Sequence, residues 1–213
     1  GASIGSIYAL IALGIVLLYR TTRILNFAHG DIGVVATFIA YTLITNSGLP
    51  FRLSFLLAVL AAGVIGMLIY LFLVRPAKNQ SELGLLILTL GLALFLGGLD
   101  AIVFGTDNKV VPTLVPHRLV SIGGATFSIV TVVTALVGVV LMVGLWALMR
   151  FTRLGLAMRA VAEREDVAQA LGIPVRSVLM ATWATAAMLA CAAALLFAPS
   201  ALLHPAMMFD PLS

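Results

Sequence analysis

Two stretches of this sequence carry side chains that could do chemistry. The first is Asn26-Phe27-Ala28-His29-Gly30-Asp31, set at the start of a run that is otherwise hydrocarbon. The second is Thr152 to Pro174, the longest polar interval in the chain, with Arg153, Arg159, Glu163, Arg164, Glu165 and Asp166 between two long apolar runs. Amide, imidazole and carboxylate groups inside an apolar run are unfavourable in lipid and commonly serve a pathway or a gate. A hydrolytic site does not follow from them. His29 and Asp31 have neither a third group nor a nucleophile nearby in the sequence. His29, His117 and His204 lie on unrelated segments without metal-ligand spacing, so no metal site is expected. Neither lysine, Lys78 nor Lys109, follows a glycine, and there is no phosphate-cradling loop.

Composition sets the solvent in which these groups must work. Of 213 residues, 62% are hydrophobic and 9% charged, against about 25% charged in soluble domains. That excess exceeds what a buried soluble core needs and points to an all-α integral membrane protein, a polytopic transmembrane helix bundle. The apolar runs are unbroken rather than alternating, which excludes a transmembrane β-barrel. The net charge of +4 does not indicate a nucleic-acid partner, because the basic residues sit at the ends of apolar runs. Cys191, the single cysteine, lies within such a run and reads as a small buried hydrophobe.

About six spans are expected: 2–19, 24–45, 53–74, 83–104, 127–149 and 176–198. The third is the cleanest, with 22 uncharged residues, about 33 Å as a helix. Gly1, Gly5 and Ala9, four apart, allow close helix contact in the first span. Asp100 falls near the outer end of the fourth span and reads as an interfacial residue. Residues 105–126 form a loop with three turn clusters, and the pattern leaves a short strand and an interfacial helix both open. In the second span, Asp31 lies about 200° around a helix from His29 and must face elsewhere. Either Asp31 pairs with a basic residue of another loop, or the helix is broken near Gly30 and Asp31 caps a half-helix that starts at Ile32.

Within 152–174, Ala157, Ala160, Val161, Val167, Ala168 and Leu171 form one apolar stripe at helical spacing. Arg159, Glu163 and Asp166 point elsewhere, Arg164 interrupts the stripe and bends the helix, and Gly172 with Pro174 ends it. With this interval inside the cell, Arg20, Arg23, Arg75, Lys78, Arg150, Arg153, Arg159, Arg164 and Arg176 are inside, and Arg52, Lys109 and Arg118 outside. Nine against three puts the first residue outside.

The runs YALIALGIVLLY, RILNFAHGDI and TRLGLAMRAVAEREDVAQALGIPV, taken together, resemble the permease subunits of bacterial ABC importers for branched-chain amino acids. The resemblance covers the whole chain and implies a single transmembrane permease domain over 1–213, with 152–174 as its cytoplasmic coupling segment. Relatives carry an E-A-A-x-x-x-G loop that docks on an ATPase, and here Asp166-Val167-Ala168, then Gly172, keep that spacing with Asp for Glu and Val for the first Ala. Implied ATPase contacts are Arg159, Glu163, Asp166, Ala168 and Gly172. Asn26, His29, Gly30 and Asp31, polar groups within a span, read as pathway or gate residues, the alternative being a structural interface a turn or two inside the cytosolic face. Implied partners are a second permease subunit, two cytoplasmic ATPase subunits that hold ATP and magnesium, and an extracytoplasmic amino-acid-binding protein. This chain is then expected to hold no cofactor, to be no enzyme itself and to reside in the bacterial inner membrane. Relatives run longer, so the sequence reads as a fragment with further spans after it. A urea or short-amide permease of the same family, and an ion-coupled secondary transporter, are the competing readings.

Overall fold

The computed structural model describes residues 2–77, 80–105, 119–122 and 125–198. Its helices are α1 (Ala2–Thr22), α2 (His29–Thr45), α3 (Phe51–Ile69, extended by a π-helical turn, Tyr70–Val74), α4 (Glu82–Phe104), α5 (Ile129–Phe151), α6 (Arg153–Glu163), α7 (Glu165–Ala170) and α8 (Val175–Phe197). Phe51–Val74, Leu83–Phe104, Val132–Phe151 and Val175–Phe197 are long and apolar enough to cross a membrane. Two shorter apolar helices, Ile7–Thr22 and His29–Thr45, complete the expected set. Before α5 an antiparallel hairpin pairs β1 (Leu119–Ile122) with β2 (Ala125–Ser128), Leu119 opposite Ser128 and Ile122 opposite Ala125. Within 105–126, the described residues 119–122 and 125–126 are strand. The other two turn clusters, His117, Lys78, Lys109, Arg118, Gly123-Gly124 and the stretch after Ala198 lie outside the described residues.

The bundle is built around α8, which packs against α1, α2 and α3. Its sequence explains why. VRSVLMATWATAAMLACAAALLF is alanine-rich, so neighbouring backbones can come close on every side. The neighbours supply glycines where they cross it. A Cβ on Gly33 of α2 would stand 2.6 Å from the carbonyl oxygen of Ala190. One on Gly66 of α3 would stand 2.5 Å from the oxygen of Trp183 and 2.8 Å from the Ala187 Cβ. Gly5, singled out in the sequence as a contact, faces open space, so the close approaches of α1 lie further along, at Gly14.

The periphery has the opposite character. Helix α4 lies on α2 and α5 on α1. Leu94, Ile102, Leu136 and Val140 on these two helices are exposed, as hydrocarbon facing lipid should be. Phe38 of α2 stacks on Phe104 at the end of α4, ring centroids 4.6 Å apart. Ser81 caps α4 by accepting from the Gly84 N–H at 3.2 Å.

These contacts make a paired prediction. Gly66→Ala forces α3 off α8 and is expected to lower stability by about 1–3 kcal/mol. Gly91→Ala, on α4 with nothing within 4 Å, is expected to be neutral. Thermal unfolding of the two variants in detergent distinguishes them.

Candidate functional site

The chain does not run straight from α1 into a second helix at Ile24. Arg23 takes a left-handed backbone angle, φ 59°, which ends α1. Residues 23–28 are then non-helical and alternate in burial: Ile24, Asn26 and Ala28 point in, Arg23, Leu25 and Phe27 out. Non-helical backbone inside a membrane protein must have its polar groups satisfied by the protein. Here Thr89 of α4 donates to the Leu25 carbonyl oxygen at 3.1 Å. The Thr22 hydroxyl accepts from the Ile24 N–H at 3.3 Å. Asn26 Oδ1 accepts from the Ala28 N–H at 3.1 Å, and the His29 N–H reaches the Asn26 carbonyl at 3.3 Å. The types NFAHG therefore serve a tight local turn.

Helix α2 begins at His29, not at Ile24 or Ile32, and Asp31 sits in its first turn with no side-chain cap at Ala28. The break is real, as one of the two expectations required, but it falls two residues before Asp31 and the carboxylate does not cap it. The start of α2 lies deep in the bundle. A Cβ on Gly14 of α1 would stand 2.5 Å from the His29 ring and 3.6 Å from the oxygen of Ala186, and Ala186 is the middle residue of α8. The imidazole thus faces the α1–α8 seam. It is buried, and neither ring nitrogen has a hydrogen-bond partner. Gly30 is half-buried beside it.

Asp31 faces the other way, as helical geometry demands, toward α4. A Cβ on Gly97 would stand 4.0 Å from its Oδ1. Asp100 lies one turn beyond Gly97 on α4. Asp100 is 1% exposed, so protein rather than solvent surrounds it. Its placement beside α2 was not legible because its helix face depends on α4 pairing with α2, and nothing local encodes that pairing. No basic residue of another loop pairs with Asp31: among the described residues the salt bridge is Arg164 to Asp166.

The polar interval folds as two short helices broken at Arg164, whose backbone is extended, φ −150°. This is the expected bend. Thr152 caps α6, accepting from the Gly155 N–H at 3.0 Å. Gly155 has no room for a side chain against Leu148 and Met149. The apolar stripe turns inward in part: Val161 and Ala168, with Met158, join the main core with Val175 and Val178 of α8, and Ala157 and Ala160 pack against it, whereas Val167 and Leu171 are exposed because the break at Arg164 rotates α7. Arg159, Glu163, Asp166 and Gly172 are exposed, as are Leu156 and Leu171. Ala168, at 2% exposed, anchors α7 to the bundle rather than presenting itself to solvent. Arg164 Nη2 lies 2.8 Å from Asp166 Oδ2, and this guanidinium holds the Asp166 carboxyl below its ordinary value. Gly172 has φ +81°, the left-handed stop that a glycine permits.

The family model for the branched-chain amino acid transport system permease component matches residues 1–210. The chain belongs to this family. The permease protein BraD of the high-affinity branched-chain amino acid transport system of Pseudomonas aeruginosa is 32% identical over 208 residues, covering 92% of this chain and 68% of the relative. LivH of Escherichia coli K12, named for the same kind of system, is 29% identical over the same shares. A probable LivH permease of Methanocaldococcus jannaschii is 32% identical over 188 residues, 84% of this chain and 58% of the relative. No solved structure matches the chain. In this member of the family, the NFAHGD stretch opens a helix inside the bundle, and the 152–174 segment divides into an anchored face and an exposed one.

The turn at Asn26 is open to a direct check. Asn26→Ala leaves the buried Ala28 N–H without its acceptor and is expected to cost about 1–3 kcal/mol. Asn26→Ser, whose hydroxyl can accept the same bond, is expected to lose less. Unfolding midpoints in detergent give both values.

Proposed function

We propose that this chain is the membrane-spanning permease subunit of an ABC importer that moves branched-chain amino acids into the cell. ATP is hydrolysed on separate ATPase subunits, and this subunit supplies the path. The observation that carries the reading is the two-faced segment of α6 and α7, joined to a family match over nearly the whole chain. One face is fixed in the core through Met158, Val161 and Ala168. The other offers Leu156, Arg159, Glu163, Asp166 and Leu171, apolar and charged groups side by side, as a docking patch requires.

The mechanism is alternating access. A binding protein delivers the amino acid to the outer mouth, and two permease subunits enclose the path. ATP closes the ATPase pair, and the docked segment moves with it. Work passes only if the segment is held differently in the two ATPase states. The rigid attachment of α6 to α5 and α8 then carries the motion into the bundle. On this reading the segment faces the cytosol and the first residue lies outside. Asn26, His29, Gly30 and Asp31 stand on the path or its gate.

Two outcomes are expected. Asp166→Arg and Gly172→Pro reduce ATPase co-purification about tenfold or more, the size of a 1.4 kcal/mol change, while both variants stay in the membrane. Single cysteines at Arg159 and Glu163 react with a membrane-impermeant maleimide in inverted vesicles and not in whole cells. Normal ATPase retention, or labelling from outside, rejects the docking assignment.

A further inference from the structure

The interface of α2 and α4 holds two carboxylates that the fold itself leaves uncompensated. Asp31 is 3% exposed and Asp100 1%. Asp31 Oδ2 and both oxygens of Asp100 have no hydrogen-bond partner. Asp31 points at Gly97 of α4, one turn before Asp100, and among the described residues no salt bridge reaches either carboxylate. The one buried imidazole in the neighbourhood, His29, is turned to α1 and α8. The Asn26 Nδ2 donor is buried and unpartnered too, so the vicinity is polar but short of positive charge. Gly97 of α4 faces Asp31: a Cβ built there would stand 4.0 Å from Asp31 Oδ1, in ordinary contact. Around the pair, Ile32, Leu92 and Leu96 belong to the buried apolar core.

Two carboxylates buried at one interface repel, and three of their four oxygens lack the donors that water would have given them. An arrangement of this kind is suited to a visitor that brings positive charge and several N–H donors. A primary ammonium has three donors and no acceptor. An amino acid crossing a bilayer carries such a group beside an aliphatic side chain, and its charge needs a counter-group inside the membrane. We infer that Asp31 and Asp100 form the site that receives the α-ammonium of the transported amino acid between α2 and α4. The inference rests on the proposed transport function and adds the residues that recognise the substrate's positive end.

The test uses the complete transporter, both permease subunits with ATPases and binding protein, in proteoliposomes. Asp31→Asn and Asp100→Asn keep size and remove charge. Each is expected to lower leucine uptake about tenfold, the worth of one charged hydrogen bond. ATPase co-purification stays at the wild-type level, which a folding defect would not allow. Dicyclohexylcarbodiimide, which modifies carboxyls from the membrane phase, gives a readout on the unaltered protein. L-Leucine on both sides is expected to slow labelling of Asp31 and Asp100, and 4-methylpentanoate, the same skeleton without the ammonium, is not. Wild-type uptake by both Asn variants overturns the inference and marks the pair as structural. Equal protection by 4-methylpentanoate, or protection by sodium or potassium chloride alone, overturns it as well, the latter in favour of an inorganic cation site. Failure of the wild-type transporter to take up leucine rejects the transport function itself and is thereby distinguished.

Discussion

Everything in this fold depends on how closely other backbones can approach α8. Gly14, Gly33 and Gly66 each leave a gap that a methyl group would overfill, and each gap is closed by α8, directly or, at Gly14, with the His29 ring between. In lipid there is little hydrophobic gain from bringing helices together, so packing and satisfied polar groups must hold the bundle. An alanine-rich central helix provides the contact area. It also removes the bulk that would otherwise hold α1 and α2 apart.

That close packing is what permits an irregular segment in the interior. Residues 23–28 give up helical hydrogen bonds where no water is assured, and their losses are offset by Thr22, Thr89 and Asn26. With the link satisfied, α2 can start level with the middle of α8. Its first turn then projects His29 to one seam and Asp31 to the other. A straight helix from Ile24 would have needed no such partners and would have placed the same side chains lower and at other angles. The orphaned nitrogens of His29 and oxygens of Asp100 contrast with the care taken over the backbone. Here the chain satisfies what holds its shape and leaves open what faces the two seams.

The sequence made some of this legible and some not. The spans at 53–74, 83–104 and 176–198 were visible to within a few residues, because length and unbroken apolarity decide them. The opposite facing of His29 and Asp31 followed from 100° per residue, and the break at Arg164 from a charge set into an apolar stripe. The true start of α2 was not legible. NFAHG has no strong breaker before Gly30, and Arg23 holds its left-handed backbone only in the folded chain. The burial of Asp100 was not legible for a related reason. Its distance along α4 suggested an interface, whereas its burial comes from α2 lying alongside. Gly5 shows the same limit: small-residue spacing marks a face that can be approached without saying that anything approaches it.

The two polar stretches, far apart in the chain, share one neighbour. Met158 and Val161 of α6 and Ala168 of α7 are buried with Val175 and Val178 at the start of α8. The middle of the same helix closes on Gly14 and His29, and Ala190 beyond it on Gly33 of α2. A displacement delivered to α6 therefore meets a continuous packed element that ends at the first turns of α2. Close-packed interiors transmit strain because they have no slack to absorb it, and α8 is packed more completely than the other three helices long enough to cross a membrane. The peripheral α4 and α5 are bound on one side only, so they can yield where α8 cannot. A shift of α8 would then be taken up at the α2–α4 interface, where Asp31 and Asp100 meet. Helix α2, which carries Asp31, and the α6–α7 segment are thus packed on the same helix, which gives the two stretches a common physical basis.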